Sequence, residues 1–231
     1  MKKFSFSGYF SFHEKILWSA SLIIILLSHF IFGASDLLSL SASLIGATSL
    51  IFCAKGNPIG QVLMICFSIL YGIISYTFSY YGEMITYLCM TLPMAIFSLV
   101  SWLRNPYKGN RSVVKVSSIS RRELIFSLLL TTAVTFIFFY ILRTMGTANL
   151  LPSTLSVTTS FLAAYLTFRR SPFFAFVYAL NDIVLIILWI LASIEDISYL
   201  SVIVCFAVFL VNDLYGFISW LKMKKKQFSD N

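Results

Sequence analysis

Eight stretches of 18–24 predominantly apolar residues follow one another along the chain, at 16–34, 37–54, 58–79, 84–103, 124–143, 149–168, 172–194 and 198–221. A hydrocarbon core of ~30 Å is crossed by about 20 residues of helix rising ~1.5 Å each. In lipid the backbone must satisfy its own hydrogen bonds, which a continuous apolar run does as a helix. These runs predict an all-α membrane protein with eight transmembrane helices. Composition agrees: 59% of the 231 residues are hydrophobic and 11% are charged, and mean hydropathy is +0.89. A soluble domain of this size needs far more charge to cover its surface.

The links between runs carry the orientation. Most are short and polar: Ser35-Asp36, Lys55-Gly56-Asn57, Tyr80 to Glu83, Arg169 to Ser171, and Glu195 to Ile197. The longer link, Arg104 to Glu123, is basic and serine-rich. If the helices alternate, 16 of the 17 Lys and Arg fall on one side, and Arg143 alone falls opposite. Asp36, Glu83, Glu195 and Asp196 share that sparse side. Lysine and arginine accumulate on cytoplasmic loops, so both termini are expected in the cytoplasm of a cell-membrane protein. Topology accounts for the net charge of +8, and no nucleic-acid partner is needed. The first run follows Lys2 and Lys3 but lacks a clean A-x-A cleavage site, so a retained helix is expected rather than a signal peptide. Cys53, Cys66, Cys89 and Cys205 lie in apolar runs without metal spacing and read as small hydrophobes.

A duplication runs through the spans. The fourth ends Phe97-Ser98-Leu99-Val100-Ser101-Trp102-Leu103-Arg104, and the eighth ends Tyr215-Gly216-Phe217-Ile218-Ser219-Trp220-Leu221-Lys222. The third and seventh both start at a proline, Pro58 and Pro172, after a basic link, and the second and sixth are rich in Ser and Thr. Convergence of helix-end residues is the alternative explanation. Duplication predicts an N-terminal helix (1–36), a three-helix repeat (37–104), a basic loop with a linker helix (105–148), a second three-helix repeat (149–222) and a basic tail (223–231). One helix between two triplets restores orientation, so the 3+1+3 repeats are expected to be parallel, with a site between them near mid-membrane.

Two Asn-Asp pairs, Asn181-Asp182 and Asn212-Asp213, lie deep in apolar runs. An ionisable group there costs at least ~2.5 kcal/mol on insertion and normally faces a cavity or a partner. Asp182 lies about ten residues, ~15 Å, beyond Pro172. Phe174, Tyr178, Asn181 and Trp189 share a helical face, Tyr215 follows Asp213, and Gln61 and Ser68 mark a polar stripe on the third span. Ser68 aligns with Asp182 when the two prolines are matched, and Pro93 is expected to bend the fourth span. The ten candidate ligand contacts are thus Gln61, Ser68, Phe174, Tyr178, Asn181, Asp182, Trp189, Asn212, Asp213 and Tyr215. Amides, carboxylates and aromatic walls suit a small polar ring compound, especially a cation. The competing reading is that these groups tie helices together.

No GxxxxGK[ST] phosphate loop, HExxH helix or other metal-ligand spacing is present, so no cofactor, metal or enzymatic activity is expected. An aspartyl enzyme using Asp182 and Asp213 would need their carboxyls in contact, and a scaffold role is the remaining alternative.

In Gly56-Asn57-Pro58-Ile59-Gly60-Gln61, Tyr80-Tyr81-Gly82-Glu83, Ser101-Trp102-Leu103, Arg169-Arg170 before Asn181-Asp182, and Asn212-Asp213-Leu214-Tyr215-Gly216 before Ser219-Trp220, the chain resembles the PnuC family of nicotinamide riboside transporters. The resemblance implies a three-plus-one-plus-three arrangement related to SWEET-type transporters, assembly as a homotrimer, and facilitated diffusion of an unphosphorylated vitamin precursor that a cytoplasmic kinase traps. Riboside carriers of this family typically have two tryptophans, three apart, then Asn or Asp four residues later in span seven. Here those tryptophan positions hold Phe174 and Val177, or Ala175 and Tyr178. Relatives that carry thiamine, riboflavin or deoxynucleosides are therefore competing expectations, as is proton-coupled uptake.

Overall fold

The structure, a computed structural model, describes residues 9–32, 37–77, 81–147, 149–194 and 197–230. Lys2, Lys3, Asp36, Tyr80, Glu195 and Asp196, named above for charge or motif, lie outside the described residues. The chain is nearly all helical. Helices α1 (Phe12–Ile31), α2 (Leu37–Ala54) and α3 (Ile59–Thr77) are followed by a composite rod: α4 (Tyr81–Ile85), a π-helical turn (Thr86–Thr91) and α5 (Leu92–Arg104). Then come a small antiparallel hairpin, β1 (Pro106–Tyr107) with β2 (Asn110–Val114), and α6 (Arg121–Thr144), α7 (Leu150–Phe168), α8 (Phe173–Ser193) and α9 (Leu200–Ser229). Seven helical rods among the described residues are long and apolar enough to cross a membrane; Leu150–Phe168, rich in Ser and Thr, has the length without the same apolarity.

Local chemistry explains where these elements break. Pro93 has no N–H to donate, and the helix ahead of it widens into the π turn, where Thr91 Oγ1 donates to the Thr86 carbonyl at 3.3 Å. The fourth span, expected to bend at Pro93, shows this π turn ahead of it. The basic link contains a hairpin where sequence alone gives a loop. Helix α9 continues through Lys222 and Lys226 to Ser229, past the point where a separate tail is expected to begin.

Two triplets of rods, α2–α3–α4/α5 and α7–α8–α9, touch through α2 against α9 and α5 against α7. Helix α1 lies against α2 and α9, and α6 against α7. At the end carrying the basic residues, the duplicated Ser-Trp motifs bond across to the opposite triplet. Trp102 Nε1 donates to the Thr167 carbonyl at 2.9 Å and Ser101 Oγ to Phe168 at 2.7 Å. Correspondingly, Trp220 Nε1 donates to Cys53 at 2.8 Å and Ser219 Oγ to Ala54 at 2.8 Å. The last carbonyls of a helix have no intrahelical partner. Here those of α2 and α7 are taken by the opposite triplet. The indoles pack at 5.4 Å between centroids, with Phe174 edge-on to Trp220 at 4.9 Å, and the Trp side chains are 1% and 0% exposed.

The helix preceding each triplet is anchored in a matching way. Ser11 caps α1, and Glu14 three residues on ion-pairs with Lys55 at 2.8 Å in the α2–α3 turn. Ser120 caps α6, and Glu123 three residues on ion-pairs with Arg169 after α7. Helix α1 is further joined to the bundle by Trp18 Nε1, which donates to Thr48 Oγ1 at 3.2 Å.

Close approach of α2 and α3 depends on Gly60, where an added Cβ would lie 2.5 Å from Cys53 Sγ and 2.7 Å from its backbone nitrogen. Backbone cannot yield there. Gly60→Ala is expected to lose ~1–3 kcal/mol of stability in thermal unfolding of the detergent-solubilised protein. Gly216→Ala is the internal contrast. Its Cβ would meet Ala175 and Ala54 at 3.6–3.7 Å, an ordinary contact, and helix propensity makes it neutral or stabilising.

Candidate functional site

Away from the basic end, the triplets separate around a cavity of about 320 Å³. Its mouth is formed where α4 begins, where α6 gives way to α7, and where α8 gives way to α9. Glu83, Thr147, Trp189 and Tyr199 are among its walls. A smaller inner compartment of about 60 Å³ shares Glu83, Thr147, Ser153, Leu188 and Trp189 with it, and continues to Tyr87, Ser156 and Ser160. Two small residues shape this space. At Gly82 an added Cβ would lie 2.5 Å from Thr147 Oγ1, and at Gly72 it would lie 2.5 Å from Leu88 in the rod carrying the π turn.

The site combines one carboxylate, several hydroxyls and five aromatic side chains, Tyr71, Tyr81, Tyr87, Trp189 and Tyr199. Trp189 packs on Tyr199 at 5.2 Å between centroids, and Tyr71 on Tyr87 at 4.7 Å. Among the described residues, no lysine, arginine or histidine lines either compartment, and no cation forms an ion pair with Glu83. A carboxylate beside aromatic faces attracts an organic cation through charge and ring quadrupole together. Hydroxyls on Ser153, Ser156 and Ser160 offer both donors and acceptors to a polyhydroxylated group.

The sequence-derived candidates distribute unevenly around this space. Trp189 lines both compartments. Asn181 stands behind the inner one, its Oδ1 accepting from Ser156 Oγ at 3.2 Å and Thr159 Oγ1 at 2.7 Å. Asp182 and Asp213 bring their carboxyls within hydrogen-bonding reach across α8 and α9, at 4% and 5% exposure. The pair lines neither compartment.

The remaining candidates are engaged elsewhere. Asn212 Nδ2 donates to Ser21 Oγ on α1 and to the Val208 carbonyl, each at 2.8 Å. Tyr215 OH donates to Glu14 at 3.1 Å. Gln61 Nε2 donates to Cys53 Sγ at 3.3 Å, and Ser68 Oγ donates to Met64 within its own helix. Phe174 belongs to the tryptophan cluster, and Tyr178 reaches Thr167 beside it.

Sequence reasoning left out Glu83, Tyr87, Ser153, Ser156, Ser160 and Tyr199 as contacts. Glu83 figured as a charge on the sparse side and as part of the Tyr80-Tyr81-Gly82-Glu83 motif, and the serines only as composition. The signal that would have found the serines is their spacing at 153, 156 and 160, which places them on one helical face.

Three comparisons bear on this arrangement. A sequence model described as nicotinamide mononucleotide transporter matches residues 36–222. The nicotinamide riboside transporter PnuC of Neisseria mucosa is 24% identical over 218 residues, covering 93% of this chain and 83% of the relative. The crystal structure of the vitamin B3 transporter PnuC has the same fold, with a TM-score of 0.81 over 95% of each chain at 23% identity. Relatives named as transporters point away from an enzyme. With the family model spanning most of a multi-pass helical chain, the protein belongs to the PnuC family of membrane transporters.

Proposed function

We propose that this chain carries nicotinamide riboside into the cell by facilitated diffusion, with a cytoplasmic kinase trapping the product. The observation that carries the reading is a cavity with one carboxylate, aromatic walls and no described basic residue. Its volume of about 320 Å³ lies at the lower end of small-molecule sites. The pyridinium of the riboside is a monovalent cation, and its ribose presents hydroxyls. A phosphate monoester carries up to two negative charges and calls for arginine or lysine, which favours the riboside over the mononucleotide of the family description. Facilitated diffusion is supported by the missing phosphate loop.

Thiamine is the second reading, because it too is a cation and the paired tryptophans of riboside carriers are missing. Riboflavin and deoxynucleosides are uncharged and give Glu83 no partner. The excess of lysine and arginine supports placing the basic end in the cytoplasm of a plasma-membrane protein, and family resemblance supports a homotrimer. The paired Ser-Trp bonds support two parallel three-helix repeats across eight crossings. The matching Glu14–Lys55 and Glu123–Arg169 anchors support counting α1 and α6 as equivalent helices preceding each repeat.

Uptake of labelled compounds into proteoliposomes tests the reading. Nicotinamide riboside enters and the mononucleotide neither enters nor competes; flux of thiamine alone would replace the substrate, and flux of neither would end the proposal. Glu83→Gln raises the KM for the cation about tenfold, or ~1.4 kcal/mol, and leaves uptake of uncharged dihydronicotinamide riboside within about twofold. Equal loss for both compounds assigns Glu83 to structure instead. Collapse of an imposed proton gradient leaves the initial rate unchanged, whereas a gradient-dependent rate shows proton coupling.

A further inference from the structure

The segment between the hairpin and α6 runs across the basic end and touches both triplets. Val114 N donates to the Gly56 carbonyl at 2.9 Å and Ser117 N to the Arg170 carbonyl at 3.0 Å. These acceptors are equivalent. Each lies in the turn after the first helix of its triplet, each residue has a left-handed backbone (φ 64° and 57°), and each turn leads to a proline, Pro58 or Pro172. Three residues of extended chain, about 10 Å, therefore set the spacing of two turns that belong to opposite triplets.

A residue near the C-terminal end of α9 grips this segment. Gln227, on the extension of α9, accepts from Val116 N through Oε1 at 2.8 Å and donates through Nε2 to the Val114 carbonyl at 3.0 Å. It is 3% exposed, and its side-chain oxygen and nitrogen both bond to the backbone at and just after the end of β2. Val114 and Val116 point inward between these bonds and pack into the cluster of Trp102, Phe174 and Trp220. The segment both ties the turns together and covers the tryptophan cluster from below.

We propose that residues 114–117 form a strap holding the basic end closed, and that Gln227 is the residue that positions it. Resting on the transport reading above, this makes inward opening require release of the strap from Gly56 or Arg170. With the cavity open at the far end and the tryptophan cluster closed at this one, the strap is the element whose loss allows the triplets to part.

Native Cys53 reports the opening, since its carbonyl accepts from Trp220 and its side chain is buried in the cluster that contains that indole. In the full chain in proteoliposomes, with Cys66, Cys89 and Cys205 replaced by Ser, N-ethylmaleimide labels Cys53 slowly. Gln227→Ala raises that rate about tenfold, and Gln227→Glu, which keeps the acceptor and loses the donor, gives an intermediate rate. Cys205, buried in the other half of the bundle, is the control in a background retaining it alone. The strap predicts an unchanged Cys205 rate in Gln227→Ala. Parallel increases at both cysteines would show general loosening, and an unchanged Cys53 rate would show that Gln227 holds nothing shut; either overturns the proposal. Labelling needs no substrate, so these outcomes stand apart from any failure of riboside uptake.

Discussion

Four donors at the basic end, two indoles and two serine hydroxyls, hold the triplets in register. Lipid gives helices little hydrophobic reason to associate, so packing and interhelical hydrogen bonds must do it. The last carbonyls of a helix are available acceptors because nothing inside the helix uses them. Cys53, Ala54, Thr167 and Phe168 are such carbonyls, and their donors come from the opposite triplet. Two residues further along each turn, the carbonyls of Gly56 and Arg170 receive the strap. The basic end is thereby closed by bonds to its helix-end carbonyls, and the larger cavity lies where the triplets diverge.

The divergence has its own causes. Pro93 denies a hydrogen bond to the fourth rod, which responds with a π turn that directs Thr86 and Tyr87 toward the inner compartment. Gly72 admits Leu88 from that turn, so the displaced rod still packs on α3. Leu185 and Trp189 on α8 complete the wall from the second triplet. One missing N–H thus shapes the wall beside Glu83, while Gly72 and Gly82 let Leu88 and Thr147 pack close around it.

How much of this was legible in the sequence varies with the kind of information required. Span positions follow from hydrophobic length, and the doubled Ser-Trp motif from direct comparison of residues 97–104 with 215–222. What these residues do was not legible, because the crossed partnership of α5 with α7 and α9 with α2 depends on how the triplets meet. Asn212 is instructive. Its depth marks it as functional, yet its azimuth on α9 turns it toward Ser21 of α1, and azimuth relative to an unknown neighbour cannot be read from spacing. Glu83 shows the reverse case: as a link residue it looked like a topology marker, and only convergence of three interhelical junctions makes it part of a cavity wall. The hairpin was hidden for a similar reason, since its edge is completed by a side chain more than a hundred positions later.

The buried Asn and Asp side chains divide by what they connect. Asn181 joins α8 to α7, Asp182 and Asp213 join α8 to α9, and Asn212 joins α9 to α1. None of these bonds crosses from one triplet to the other. Interhelical hydrogen bonds in membranes average only ~0.6 kcal/mol, but several within one triplet make it a stiff unit. A rigid shift of one triplet against the other leaves the bonds among α7, α8 and α9 intact and breaks the tryptophan bonds instead. For Asp182 and Asp213 the same geometry weighs against catalysis: their carboxyls lie within reach of each other, are nearly inaccessible and border neither compartment. An acid pair that activates water needs a gap for water and substrate. This pair has closed that gap, and its contribution is to keep α8, with Trp189 at its far end, fixed relative to α9.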